Sequence, residues 1–262
     1  MKPFLSLSCA ATLALCMACP SFAQAPAAAP AASAATPAQV EIDPNAMAAL
    51  NRMGTTLRGL PSFGLHIDTT SEEVLTTGQK IQHGGNGDYL LRRPNAFRIE
   101  TNSDRTSRII VYDGTTLTLF SPRIGYWAAF PAPPTIRETL IAARDRLALE
   151  LPISDLFTWG TDPVVSGAVT SAISVGPETI NGQECDQYAL RQADVDWQIW
   201  LRQGAQPLPC KIVITSTDDP SMPQFSALFT WRLDATFAAD SFTFTPPDGA
   251  RRIQFSQPQQ ER

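Results

Sequence analysis

The sequence has 262 residues, 44 % hydrophobic and 17 % charged, and its 25 acidic against 20 basic side chains give a formal net charge of −5. That acid excess, with no basic stripe anywhere along the chain, excludes nucleic acid as a partner. The length allows one substantial core once the amino-terminal end is set aside.

Lys2 is followed by an apolar run from Phe4 to Ala18 without an acidic residue, the charged and hydrophobic regions of a secretory signal. The run is short for a membrane span. Ser21-Phe22-Ala23 puts small residues at the positions a signal peptidase reads, so residues 1–23 are assigned as a signal peptide cleaved after Ala23. No Arg-Arg pair precedes the run, which favours the general secretory route. Cys9, Cys16 and Cys19 lie in the signal. Lipidation at Cys19 is the alternative, set back by Cys16 standing where a leucine-like residue belongs. Cleavage removes one lysine and no acid, leaving 19 basic against 25 acidic residues and a formal −6. Residues 24–40 are Ala, Pro, Ser and Thr with almost no large apolar side chain, and read as an extended, disordered linker. The folded domain is placed at 41–255 and a polar tail at 256–262.

Asp43 and Pro44 are the cap and first residue of a helix carrying Met47, Leu50, Met53, Leu57 and Leu60 at helical spacing and ending near Pro61. Strands are predicted over Ser62–Leu75 and Gln79–Arg92, the second interrupted at Gly84-Gly85-Asn86-Gly87 by a bulge or sharp bend. Arg93-Pro94-Asn95 is a turn. Ala96–Thr101, Arg108–Tyr112, the Asp113-Gly114 hairpin with Leu117 and Leu119 after it, and Gly125–Phe130 continue the strands. Thr135 and Glu138 form a capping box, and Ile136, Leu140, Ala143, Leu147 and Leu151 share the face of the helix that follows. Pro152 stops it, and a short second helix ends at Gly160. Strands resume from Ala172, with Asn181-Gly182 as a second hairpin signal, then Asp194–Arg202, Lys211–Ser216, Phe225–Leu233 and a short terminal strand Phe242–Phe244. On Asp194–Arg202 the apolar residues Val195, Trp197, Ile199 and Leu201 share a face, and Trp200 shows that the other face is not purely solvent. This order implies an α+β fold, a curved antiparallel sheet with helices on one face. Cys185 and Cys210 fall on strands that flank a third. A flat sheet separates such strands by about 9–10 Å, beyond disulfide reach, so both are expected to be free thiols.

Chemistry is sparse. His66 and His83 are isolated strand histidines, Gly59-Leu60-Pro61-Ser62-Phe63-Gly64 has the wrong spacing for a nucleophile elbow, and the acidic pairs Asp194/Asp196 and Asp218/Asp219 sit beside turns without a calcium-loop pattern. No Cys/His spacing suits zinc. No enzyme activity, metal or cofactor is expected. The chain instead has many strand aromatics, which fit a filled core or an apolar ligand cavity equally well. The candidate cavity residues are Phe97, Leu117, Leu119, Tyr126, Trp127, Leu140, Leu147, Trp197 and Ile199.

Two stretches, Tyr89-Leu90-Leu91-Arg92-Arg93-Pro94-Asn95-Ala96-Phe97-Arg98-Ile99-Glu100 and Tyr112-Asp113-Gly114-Thr115-Thr116-Leu117-Thr118-Leu119-Phe120-Ser121-Pro122, with Phe242-Thr243-Phe244-Thr245-Pro246-Pro247-Asp248-Gly249 near the end, resemble the bacterial periplasmic carriers of outer-membrane lipoproteins. Leu149-Glu150-Leu151-Pro152 and the VDWQIW segment look more like a related branch of predicted periplasmic proteins, domain of unknown function 2092. The resemblance implies a single antiparallel sheet forming an unclosed half-barrel, with helices as a lid over its concave face and an apolar cavity beneath. It implies a periplasmic, non-enzymatic binding protein for lipid or lipoprotein acyl chains, monomeric, with membrane-associated donor and acceptor partners. It also implies that Arg93, in the RP turn, latches the helical segment Thr135–Gly160, with Arg92 as a competitor for that role. After residue 160 the carrier pattern fades, so the cargo does not transfer. The alternative is a regulatory or interaction protein using the same fold as a scaffold with a filled core.

Overall fold

The computed structural model describes residues 42–147, 149, 153, 168–238 and 240–254. The assigned signal, Cys19, the linker, the polar tail and, apart from Ile153, the second short helix lie outside the described residues.

Helix α1 (Pro44–Gly59) starts where its cap dictates: Asp43 is extended and its carboxylate accepts the Asn45 N–H at 2.8 Å. The Asp43 N–H bonds the Ala172 carbonyl at 2.9 Å and Ser174 donates to its carboxylate, so the helix start is tied to a strand. Leu50, Met53 and Leu57 are fully buried, each worth roughly 1.5–3 kcal/mol against exposure. Six strands follow: β1 (Ser62–Val74), β2 (Lys80–Arg92), β3 (Ala96–Ser103), β4 (Ser107–Tyr112), β5 (Thr116–Ser121) and β6 (Tyr126–Pro131). Helix α2 (Ile136–Leu147) opens on the expected capping box, with the Glu138 N–H donating to the Thr135 hydroxyl at 3.2 Å and that hydroxyl donating to the Glu138 carboxylate at 2.7 Å. Then come β7 (Ser171–Ile180), β8 (Gln183–Arg191), β9 (Val195–Arg202), β10 (Pro209–Ser216), β11 (Gln224–Arg232) and β12 (Arg251–Arg252).

All the strands form one 12-stranded sheet in the order β12-β6-β5-β4-β3-β2-β1-β11-β10-β9-β8-β7. Two antiparallel meanders are joined at its middle by the β1–β11 ladder; among the described strands the β12–β6 pairing is the parallel one, and an isolated Ile42–Ala172 bridge is also parallel. β12 and β7 are its ends, so the half-barrel is unclosed. Strand alternation sends Phe63, Leu65 and Ile67 from β1, Phe97 and Ile99 from β3, Tyr112 from β4 and Trp197, Ile199 and Leu201 from β9 into one core with α1 and α2. The helices therefore cover one face, here called the inner face.

Three expectations need correction. Gly84–Gly87 makes no bulge: β2 stays in unbroken register with β1 and β3. Gly85 and Gly87 serve close approach: a Cβ on Gly87 would lie 2.9 Å from Tyr89 Cε2 and 3.2 Å from Ile67 Cγ1, and one on Gly85 3.1 Å from the Asn102 carbonyl oxygen. Phe242–Phe244 is not a strand. The ladder partner of β6 is β12, while Phe244 packs on Phe120 and Trp127 and Phe242 lies under the Arg92 guanidinium at 4.6 Å.

Cys185 and Cys210 are joined in a disulfide. They do flank β9, as expected, but Cys185 lies opposite Arg202, the last residue of β9, and Cys210 is the extra residue of a bulge between Pro209 and Lys211. There β9 is ending, and its exit is stitched to both neighbours by Arg202 N–H to the Leu208 carbonyl and Gln203 N–H to the Glu184 carbonyl. The bulge and the curl bring the Cα atoms to 6.8 Å, within disulfide range. The bridge packs with Trp200 in a small outer-face cluster.

Candidate ligand-binding site

The RP turn ties both helices. Arg93 Nε donates to the Leu60 carbonyl at 3.2 Å and a terminal nitrogen to that of Leu57 at 3.1 Å, both at the end of α1. Burial, and then the neighbouring Arg58, hold the Arg93 pKa below the ordinary arginine value. The next residue serves α2: the Pro94 carbonyl accepts the Ile136 N–H at 3.2 Å. The start of α2 is fixed further at Pro133, whose carbonyl accepts the Tyr112 hydroxyl at 2.5 Å and the Thr139 hydroxyl at 3.1 Å. Among the described residues the Arg93 side chain fastens the end of α1; most of the segment Thr135–Gly160 after Leu147 lies outside them. Arg92 lies on the Phe242 ring.

From that end the inner face is filled by side chains, and farther along β1–β4 its character changes. Inner positions pass from Phe63, Leu65 and Ile67 to Thr69 and Ser71 on β1, and from Tyr89 to Gly87, Gly85 and His83 on β2. On β3 they pass from Phe97 and Ile99 to Thr101 and Ser103. A cavity of about 370 Å³ lies there, with Gly84 and Gly85 in its lining. Ile67, Tyr89, Ile110, Phe225 and Leu149, just past α2, give it apolar walls. Thr69, Ser71, Thr101, His83, Arg105 and Arg108 line its polar part. Burial pushes the Tyr89 phenol up to about 12. Beside the polar part, Glu73 Oε2 accepts from Arg105 at 2.6 Å and lies 2.9 Å from His83 Nε2. Those contacts, Arg105 first, hold its carboxyl below the usual range.

The residues named from sequence as cavity-lining take the following places. Phe97, Leu117, Trp197 and Ile199 are buried in the main core, with Leu119 and Leu140 packed against it. Tyr126 is 37 % exposed beside β12. Trp127 packs against Phe244 on the outer face with the rings tilted at 51°, and Arg252 lies over its ring at 5.2 Å. The Leu147 side chain lies outside the described residues. None of the others lines the cavity just described. The signal that marks it was present in the alternation of β1–β3: apolar inner positions give way halfway to Gly, Ser and Thr.

His66 sits on the outer face, 3.1 Å from Asp88 and 3.5 Å from Asp68. Among the described residues no cluster of His, Cys, Asp or Glu is arranged to hold a metal ion, and no helix is long and apolar enough to cross a membrane.

A family model described as predicted periplasmic protein (DUF2092) matches residues 46–256. No curated protein matches the chain. Solved structures similar to it include an uncharacterized conserved protein from Thermus thermophilus, at 10 % identity and a TM-score of 0.45 over 80 % of this chain and 99 % of that one. The lipoprotein LppX of Mycobacterium tuberculosis is 15 % identical, with a TM-score of 0.45 over 72 % of this chain and 96 % of its own. A LolA superfamily protein from Nitrosomonas europaea is 11 % identical, with a TM-score of 0.37 over 76 % of this chain and 97 % of its own.

Proposed function

The chain belongs to this family of predicted periplasmic proteins, and from that premise we propose that it is a non-enzymatic binding protein that holds an acyl chain on the inner face of the sheet. The observation that carries the reading is the cavity of about 370 Å³ on the helix-covered face, within the range of small-molecule sites. Gly84 and Gly85 lie on its floor, and its apolar wall is continuous with the core through Ile67, Tyr89 and Ile110. A cavity with apolar walls and one polar end suits a ligand of the same build. Membrane-associated donors and acceptors would load and unload it.

Native mass spectrometry of protein purified from the periplasm without detergent tests the reading. The expected spectrum shows a fraction carrying an added lipid mass that organic extraction removes and added acyl lipid restores. A folded protein that neither carries nor takes up an acyl ligand would overturn it and leave the scaffold alternative, a protein that meets its partners through its surface alone.

A further inference from the structure

The charges around the cavity run against those of the whole chain. The protein has an excess of acid, yet the residues lining the cavity include Arg105, Arg108 and His83 and no carboxylate. Glu73 comes nearest, and it is already engaged by Arg105 and His83. Arg108 is different: it is exposed on the cavity wall, and among the described residues it has no carboxylate partner. On β4 it alternates with Ile110 and Tyr112, so it shares the inner face with the apolar core. A guanidinium placed there offers a fork of donors suited to a carboxylate or phosphate.

The volume sets a second condition. A group the size of water occupies about 30 Å³, and a methylene is close to that size. A cavity of about 370 Å³ thus has room for roughly a dozen such groups, enough for one acyl chain.

We propose, resting on the acyl-binding reading above, that the ligand is a single-chain anionic amphiphile. Its head lies between Arg105 and Arg108, and its chain runs over Gly85 along Ile67, Tyr89 and Ile110 toward Leu149. The carboxylate of a free fatty acid and the phosphate of a lysophospholipid share this chemistry. Thr69, Ser71 and Thr101 offer hydroxyls along the same wall for the first polar atoms behind the head.

Displacement of N-phenylnaphthylamine, an uncharged fluorescent probe, from delipidated protein tests the inference. The competitors are myristate, myristoyl lysophosphatidic acid and monomyristoylglycerol, which share one chain and differ in the head. One or both anions should displace the probe at concentrations at least about tenfold below the neutral lipid, the effect of one charge-assisted hydrogen bond. Whichever anion shows the advantage identifies the source of the head. Arg108→Gln should remove most of that advantage while leaving the neutral lipid unchanged, and Arg105→Gln should reduce it. Equal displacement by all three lipids, or an advantage that survives both substitutions, overturns this inference and leaves acyl binding standing. If none of the three displaces the probe, both readings fail together.

Discussion

At Arg93 one guanidinium answers two carbonyls at the end of α1, where a helix leaves acceptors without intrahelical donors and carries partial negative charge. Arg93→Gln is expected to destabilise the protein by about 2–4 kcal/mol, from charged hydrogen bonds worth roughly 1.5–3 kcal/mol each. Hydrogen exchange should rise first around Leu57–Leu60, and unchanged exchange there would show that the contacts carry no weight. Arg93→Lys should recover little, because an ammonium lacks the fork. Tyr89 gives a pH prediction. Its phenol is raised to about 12 when folded, against about 10 unfolded. The neutral form is the one the fold favours, so this contribution is complete below pH 10 and is lost as pH rises toward 12. Stability should fall by about 1.4 kcal/mol per pH unit in that window. Tyr89→Phe should flatten the slope, as read by urea melts against pH; an unaltered slope would assign it elsewhere. At this scale the sequence was legible where partners are neighbours, as in the Asp43 cap and the Thr135–Glu138 box. It was not legible at Arg93, whose partners lie 33 and 36 residues away and are chosen by packing.

Elements were legible wherever apolar residues alternate or recur between turn signals, which recovered α1, α2 and the strands through β11. Two misreadings share a cause: a one-dimensional pattern does not say how far a sheet curls. A glycine run in a strand reads the same whether the backbone bends or a tyrosine ring lies over it, and the flat spacing that kept Cys185 from Cys210 fails at a bulge. Alkylation of the intact folded protein should label neither of these cysteines, and reduction should add two daltons and expose both. Replacing both by serine is expected to cost about 3 kcal/mol for a loop of 25 residues, read as a lower denaturation midpoint. Turns can be tested in the same way. Gly114 has φ +98° and a Cβ there would lie 2.7 Å from the Asn95 amide, so the Asp113-Gly114 hairpin and the RP turn are packed edge to edge. Gly114→Ala should cost more than about 1 kcal/mol, beyond the usual entropy gain of the substitution. A melting temperature equal to that of the unmodified protein would contradict that packing.

For the whole molecule, order and direction of strands sufficed to read a curved antiparallel sheet under helices, because meanders leave few alternatives. The site was not legible as a place, since the same aromatic residues fit a filled core and a cavity, and depth along the sheet decided between them. Export is a whole-chain property: periplasmic protein should begin at Gln24, and a start at Cys19 with acyl mass would replace that assignment. An open sheet also has two rims, and rims left bare recruit other chains. On one, β7 carries a register shift between Ser174 and Gly176 and then Pro177, which has no N–H, while Ile42 bridges Ala172 farther along. On the other, β6 is capped by two arginines in parallel pairing. Each rim is thus interrupted among the described residues, which disfavours edge-to-edge pairing with a second copy. That leaves the half-barrel free to stay unclosed, which is the condition for anything to enter it.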